Sequence, residues 1–124
     1  MLILDTNAVI GYLAGNQRLT KVIDVSGQGG EAIALPAIVI TELLSYPALT
    51  EDHLLRIEDF MRAARILPLT ESTARIAARI RREYHLTTID AVVAATAAMA
   101  DNGHLVTLDK AFQKVKSVSL LVIK

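Results

Sequence analysis

Apolar residues recur along this chain in two ways. Short unbroken apolar runs at 2–4, 32–35, 66–69, 104–108 and 118–123 predict buried β-strands. Between them, stretches with helical spacing predict helices over 6–14, about 19–25, 36–46, 50–64, 70–84 and 90–100, with a short helical turn after Asp109 through Lys114. The boundaries carry their own signals. Ser26 to Gly30 reads as a flexible turn. Pro36 has no N–H to give and suits the first position of a helix, and Pro47 closes that helix. Thr50 followed by Glu51 and Asp52 is a good cap with acids matched to the helix dipole. Thr70 or Ser72 caps the next helix and Thr88 the one after, which ends at Asn102-Gly103. Pro68 marks its strand as an edge strand.

Strands that alternate with helices imply right-handed crossovers and a mainly parallel sheet covered on both faces. The expected fold class is therefore α/β: one compact domain over residues 1–124, with about five short strands flanked by helices. No repeat, low-complexity tract or linker divides the chain.

Composition narrows the picture. At 124 residues the chain suits a single core. Its hydrophobic fraction of 52% and mean hydropathy of +0.41 are high for that size. The segment 91–100 is apolar nearly all round, as a helix buried in a core or against another subunit would be. Together these predict a homodimer. Formal charge is zero, with 13 basic and 13 acidic residues, so attraction to a polyanion needs a local patch. The absence of cysteine excludes disulfides, thiolate metal sites and a cysteine nucleophile. No basic leader precedes the first apolar run, and Asp5 interrupts it at once, so a signal peptide is not expected. The run 91–100 is far short of the roughly 20 residues of a membrane span. A soluble, cytoplasmic protein is the expectation.

Four acids stand out. Asp5 follows the first strand, Glu42 lies early in the helix after the second, Asp90 is in the first turn of the alanine-rich helix, and Asp109 follows the strand 104–108. Singly, each has a plain structural use. Asp5 reads equally as a helix cap or a ligand, and Asp90 and Asp109 read more readily as first-turn or capping acids. Glu42 is different, because Ile38, Val39, Ile40, Leu43 and Leu44 surround it and a carboxylate in such a setting needs a strong partner. Taken together, several carboxylates at the mouth of a parallel sheet repel one another unless a hard cation joins them. An oxygen-only acidic site favours Mg²⁺ or Mn²⁺ and points to phosphate chemistry with a metal-activated water. In-line attack by that water would leave a 5′-phosphate and a 3′-hydroxyl.

The nine other acids read as solvated surface, and His53, His85 and His104 have no metal-ligand spacing. Nucleotide-binding glycine loops and a serine elbow are absent. Basic groups for a substrate are offered by Arg75, Arg79 and Arg82 at helical spacing, and by Lys110, Lys114 and Lys116 after Asp109. A solvated face is an equal reading for the arginines.

The runs Leu4-Asp5-Thr6-Asn7, Thr41-Glu42-Leu43, Ile89-Asp90-Ala91-Val92-Val93-Ala94-Ala95 and Val106-Thr107-Leu108-Asp109 occur in the order and spacing of PIN-domain ribonucleases, so the chain resembles that family over nearly its whole length. Its size is similar to that of VapC-type toxins of toxin–antitoxin pairs. The resemblance implies that Asp5, Glu42, Asp90 and Asp109 hold Mg²⁺ or Mn²⁺, and that Thr6 or Asn7 and Thr107 support the site. It implies RNA as substrate and a small antitoxin protein as partner. Ile89 departs from the family, where a proline or polar residue is frequent before the acid. The chain is also compact, so a substrate-selecting insertion is expected to be missing. Two other classes compete. A Mg²⁺-dependent phosphatase of another α/β family would want a second acid two residues after Asp5, where Asn7 stands. A non-catalytic binding module with the same fold is disfavoured by four intact acids.

Overall fold

A computed structural model describes residues 1–122. Strand β1 (Leu2–Leu4) leads into α1 (Thr6–Leu13) and α2 (Gln17–Gln28). Then come β2 (Ile33–Pro36), α3 (Ala37–Leu44), α4 (Glu51–Ala63), β3 (Arg65–Leu67), α5 (Glu71–Tyr84), α6 (Thr88–Met99) and β4 (His104–Thr107). A 3₁₀ turn (Lys110–Lys114) precedes β5 (Leu120–Val122). The five strands form one sheet in the order β3-β2-β1-β4-β5, and every pair is parallel.

The most apolar strand takes the centre. Leu2, Ile3 and Leu4 of β1 have almost no exposed surface, because helices cover both faces and β2 and β4 flank the edges. Truncating Ile3 to alanine would cost about 2–5 kcal/mol by the usual cavity penalty. The chain runs outward from β1 through β2 to β3, then returns to lay β4 on the other side of β1. Strand order therefore reverses between β1 and β4. In open parallel sheets, the crevice outside the carboxyl ends at such a point is where ligands bind.

Helix α6 is buried from Ala91 to Ala97. Its small side chains let α5 pack closely on one side and the sheet on the other. This chain's own elements thus cover the apolar faces of the helix on which the homodimer expectation was based. Among the described residues no helix is long and apolar enough to cross a membrane.

Several boundaries differ from the sequence reading. The expected turn at Ser26–Gly30 is mostly helix. Asn16 caps α2 by accepting the Leu19 N–H, and buried Leu19 and Ile23 hold it down, so it runs through Gly27 and ends only at Gln28. Pro36 does not open α3. Its extended ψ of 138° keeps it in β2, paired with Leu67, and it serves as the N-cap. α6 begins two residues earlier than expected, at Thr88, and its cap is Thr87 in place of Thr88, the Thr87 hydroxyl accepting the Asp90 N–H at 3.2 Å. β3 is the expected edge strand but lies wholly before Pro68. Of the strand predicted over 118–123, residues 120–122 form β5, and position 123 lies outside the described residues.

Candidate active site

The carboxyl ends of β1 and β4 bring Asp5 and Asp109 to the switch point. Asp5 directly follows β1 and is 6% exposed. One of its oxygens accepts the Ala8 N–H at 2.8 Å and so caps α1. The other accepts the hydroxyl hydrogen of Thr107, the last residue of β4, which is fully buried. The same Thr107 oxygen accepts the Asp109 N–H at 2.9 Å. Asp109 in turn caps the 3₁₀ turn through Ala111 N–H at 2.8 Å. One threonine thus ties two acids from two chain segments. The capping role and a ligand role coexist, since a carboxylate has four lone-pair sites and capping uses one.

The other two acids come from helices. Glu42 stands on the second turn of α3, half-buried, and accepts the Thr6 hydroxyl at 2.5 Å. Thr6 is buried at the start of α1, so Glu42 is tied to the residue beside Asp5. Asp90 is in the first turn of α6 and half-buried. Of the supporting candidates, Thr6 and Thr107 make these bonds, while Asn7 is exposed.

The acids influence one another in pairs. Burial pushes the Asp5 carboxyl above its ordinary value. The Thr107 and Ala8 hydrogen bonds oppose the shift, and the negative charges of Asp90 and Asp109 add to it. Burial likewise raises Asp90. Thr87 opposes, and Asp109 and Glu42 add to the rise. None of the four is in an ion pair among the described residues, where the acids that do pair are Glu31, Asp59 and Glu71. The donors are all carboxylate and hydroxyl oxygens, the set a hard divalent ion prefers over softer metals. Among the described residues no three such side chains stand close enough together to hold an ion without moving. The donor chemistry fits Mg²⁺ or Mn²⁺, and the final approach of the ligands is left to the side chains.

The basic candidates separate by position. Arg75 is early in α5 and pairs with Glu71 at 3.0 Å, away from the end of α5 that leads into α6. Arg79 is mid-helix, and Arg82 is in the last turn. Lys110 and Lys114 are exposed at the two ends of the 3₁₀ turn, Lys110 directly after Asp109; Lys116 is exposed beyond it.

Two features were not anticipated. One is Thr87, whose cap fixes the start of α6 at Asp90; the spacing Thr-x-x-Asp was the available signal. The other is an apolar groove of about 490 Å³ between α1, the end of α3 and α4, lined by Ile10, Leu13, Leu43, Tyr46, Leu49 and Ile57 among others. It contains none of the four acids. Two of the elements that line it, α1 and α3, also carry Thr6 and Glu42. No single segment encodes it, so the sequence alone did not reveal it.

A doubly covered parallel sheet with carboxylates at its switch point places the chain among α/β proteins with a candidate oxygen-donor site. Within that class, the sequence profile of the PIN domain matches residues 2–118, and the chain belongs to the PIN-domain family. It is 30% identical over 112 residues to Ribonuclease VapC19 of Mycobacterium tuberculosis, covering 86% of this chain and 88% of that protein. VapBC2 from Rickettsia felis, solved bound to a DNA fragment from its promoter, shares the fold with a TM-score of 0.84 at 20% identity over 99% of this chain and 98% of the other. A toxin–antitoxin complex from Klebsiella pneumoniae does so at 0.81 and 22% identity, covering 99% of this chain and all (100%) of that one.

Proposed function

We propose that this chain is a Mg²⁺- or Mn²⁺-dependent endoribonuclease and the toxin member of a toxin–antitoxin pair. The observation that carries the reading is the gathering of Asp5, Glu42, Asp90 and Asp109 at the switch point with no basic partner among the described residues. Their mutual repulsion raises the energy of the folded chain, which is expected of a site built for a cation and not for stability. A divalent ion bound there supplies positive charge that lowers the pKa of a water and neutralises phosphate oxygens. The chain's own contribution is placement. Thr107 fixes Asp5 and the Asp109 backbone, Thr6 steers Glu42, and the Thr87 cap sets the start of the helix that carries Asp90. In this reading Lys110, directly after Asp109, and Arg82, in the last turn of α5, meet flanking phosphates. The similarity to Ribonuclease VapC19 supports RNA as the substrate.

The antitoxin, in this reading, lays apolar side chains in the groove beside α1, α3 and α4 and reaches an arginine or lysine into the acids. A homodimer would use surface other than α6, with Ile66 and Leu69 among the exposed apolar candidates. The cytoplasm is the expected compartment.

The test is cleavage of RNA by the purified chain with Mn²⁺ and with EDTA, and end-mapping of the products. Cleavage that needs the metal and leaves 5′-phosphates supports the reading. RNA left intact while small phosphomonoesters release phosphate would sink it in favour of a phosphatase.

A further inference from the structure

Three helices hand over to their loops through a residue in the left-handed region. After α1 it is Gly15 (φ 85°), after α2 Gly30 (φ 82°), and after α5 it is His85 (φ 59°, ψ 33°). Glycine is the usual residue at such a position because it has no Cβ to crowd the backbone. The His85 backbone does what the position asks, donating its N–H to the Arg81 carbonyl at 2.9 Å. Glycine would make the same bond. The imidazole is exposed and makes no hydrogen bond among the described residues. Asn102, the other non-glycine with positive φ (53°), sits in the exposed turn before β4, at the opposite end of that strand from Asp109. At His85, then, a side chain that neither packs nor bonds within the fold occupies a place where glycine would be more stable. Conformational strain of this kind gathers at functional sites.

The position says which site. Only Leu86 and Thr87 separate His85 from α6, whose first turn carries Asp90. Arg81 and Arg82 are in the last turn of α5 beside it, both exposed and in no ion pair among the described residues. A polyanion approaching four carboxylates is repelled except where it meets cations or hydrogen-bond donors. The end of α5 offers both kinds of group on the short connection that leads into the helix carrying Asp90.

We infer that His85, with Arg81 and Arg82, forms a substrate-holding rim that hydrogen-bonds the phosphate backbone of single-stranded RNA beside the scissile bond. The inference rests on the ribonuclease reading above. The experiment compares the full chain with His85→Gly and His85→Asn, measuring cleavage of total bacterial RNA with Mn²⁺ at graded RNA concentrations, and Tm without metal. His85→Gly should raise Tm by roughly 2–6 °C, because it relieves the left-handed side chain. It should also raise the apparent KM about tenfold, the loss of one hydrogen bond to a charged group, while kcat stays within about twofold. His85→Asn, which tolerates the left-handed region and is shorter, should fall between on both readouts. An unchanged KM in His85→Gly overturns the inference, as does a lower Tm, which would mean the ring serves the fold. RNA left uncut by the parent chain overturns the ribonuclease reading and this inference with it, an outcome distinct from normal cleavage with an unchanged KM.

Discussion

The acidic site has two unlike halves. Asp5 and Asp109 sit at strand ends, and the buried hydroxyl of Thr107 joins them. Asp5 has a hydrogen bond to each oxygen, so its position is over-determined. Glu42 and Asp90 ride on helices and are half-buried, and neither carboxylate is held from both sides. The strand-borne half gives a fixed reference, and the helix-borne half has freedom to close on a ligand. This division explains how the donors share one field while no three of them already stand at ion-holding distance among the described residues. A hard cation that tolerates variable coordination suits such a site.

The largest effect should come from removing one charge in either half. Asp5→Asn and Asp90→Asn should each reduce RNA cleavage at least about 100-fold, since each removes a charge that the ion needs. Their metal-free stabilities should differ. Asp90→Asn relieves burial of a charge and repulsion, which together outweigh the Thr87 side-chain hydrogen bond that favours the ionised form, so its Tm should rise. Asp5→Asn also relieves repulsion, but an amide cannot accept at both positions, so the gain is offset and Tm should be at least equal to the parent's. Cleavage at the parent's rate in either variant would remove that residue from the site. A clear fall in Tm for Asp90→Asn would show that its charge stabilises the fold.

Metal binding should come next in size. A ligand at about 100 times its Kd that binds only the folded state adds roughly 2.7 kcal/mol. For a chain of this length that is a Tm rise on the order of 10 °C with Mn²⁺, reversed by EDTA. Asp5→Asn should abolish the rise. A parent Tm indifferent to Mn²⁺ would contradict a resident cation.

The two threonines sharpen the comparison further. Thr107→Val leaves Asp5 and the Asp109 N–H without their shared partner in a buried setting. Losses of ligand-orienting hydrogen bonds cost about 10–100-fold in metal affinity, and Thr107→Val should fall in that range by calorimetry. Thr6→Val frees only Glu42, a ligand that must move anyway, and should cost a few-fold. Thr107→Ser should restore most of the affinity. Equal losses from the two valine variants would erase the distinction between a fixed and an adjustable half.

Much of this was legible in the sequence, for identifiable reasons. The apolar runs at 2–4 and 104–108 are unambiguous because a strand buried on both faces has no polar position to disguise it. Asp5 and Asp109 could be placed because each directly follows such a run, and a parallel sheet fixes where strand ends lie. Glu42 stood out by its apolar neighbours as a carboxylate in need of a partner, and the structure gives it Thr6. What stayed hidden depends on contact between segments distant in sequence. The bond from Thr107 to Asp5 spans 102 positions, and the bond from Thr6 to Glu42 spans 36. The composition of α6 allowed burial in the core or against another subunit, and the structure shows the first, with α5 and the sheet enclosing the helix. The end of α2 was misplaced because glycine at 27 looked like punctuation, whereas the Asn16 cap and the buried Leu19 and Ile23 carry the helix past it.

The smallest expected effect is the dependence of metal-free stability on pH, and its sign is diagnostic. Burial raises Asp5 above its ordinary value of 3.8, and the charges of Asp90 and Asp109 push the same way. A group raised on folding favours the folded state while protonated. Its contribution is complete below the ordinary value and is lost as pH rises through the folded one. The Asn variant has no such group. The difference in Tm between Asp5→Asn and the parent, both in EDTA, should therefore grow in favour of the variant as pH rises from about 3.8 and level off above the folded value. Carboxylates remote from Asp5 cancel between the two proteins, and Asp90 and Asp109, freed of its charge in the variant, add to the difference in the same direction, so the slope decides the matter and its offset does not. The same experiment with saturating Mn²⁺ should reverse the slope, because the bound cation favours the ionised carboxylate and its affinity grows with pH. A difference that shrinks with rising pH in EDTA would mean that the hydrogen bonds from Thr107 and Ala8 outweigh burial. Asp5 would then be an ordinary stabilising cap.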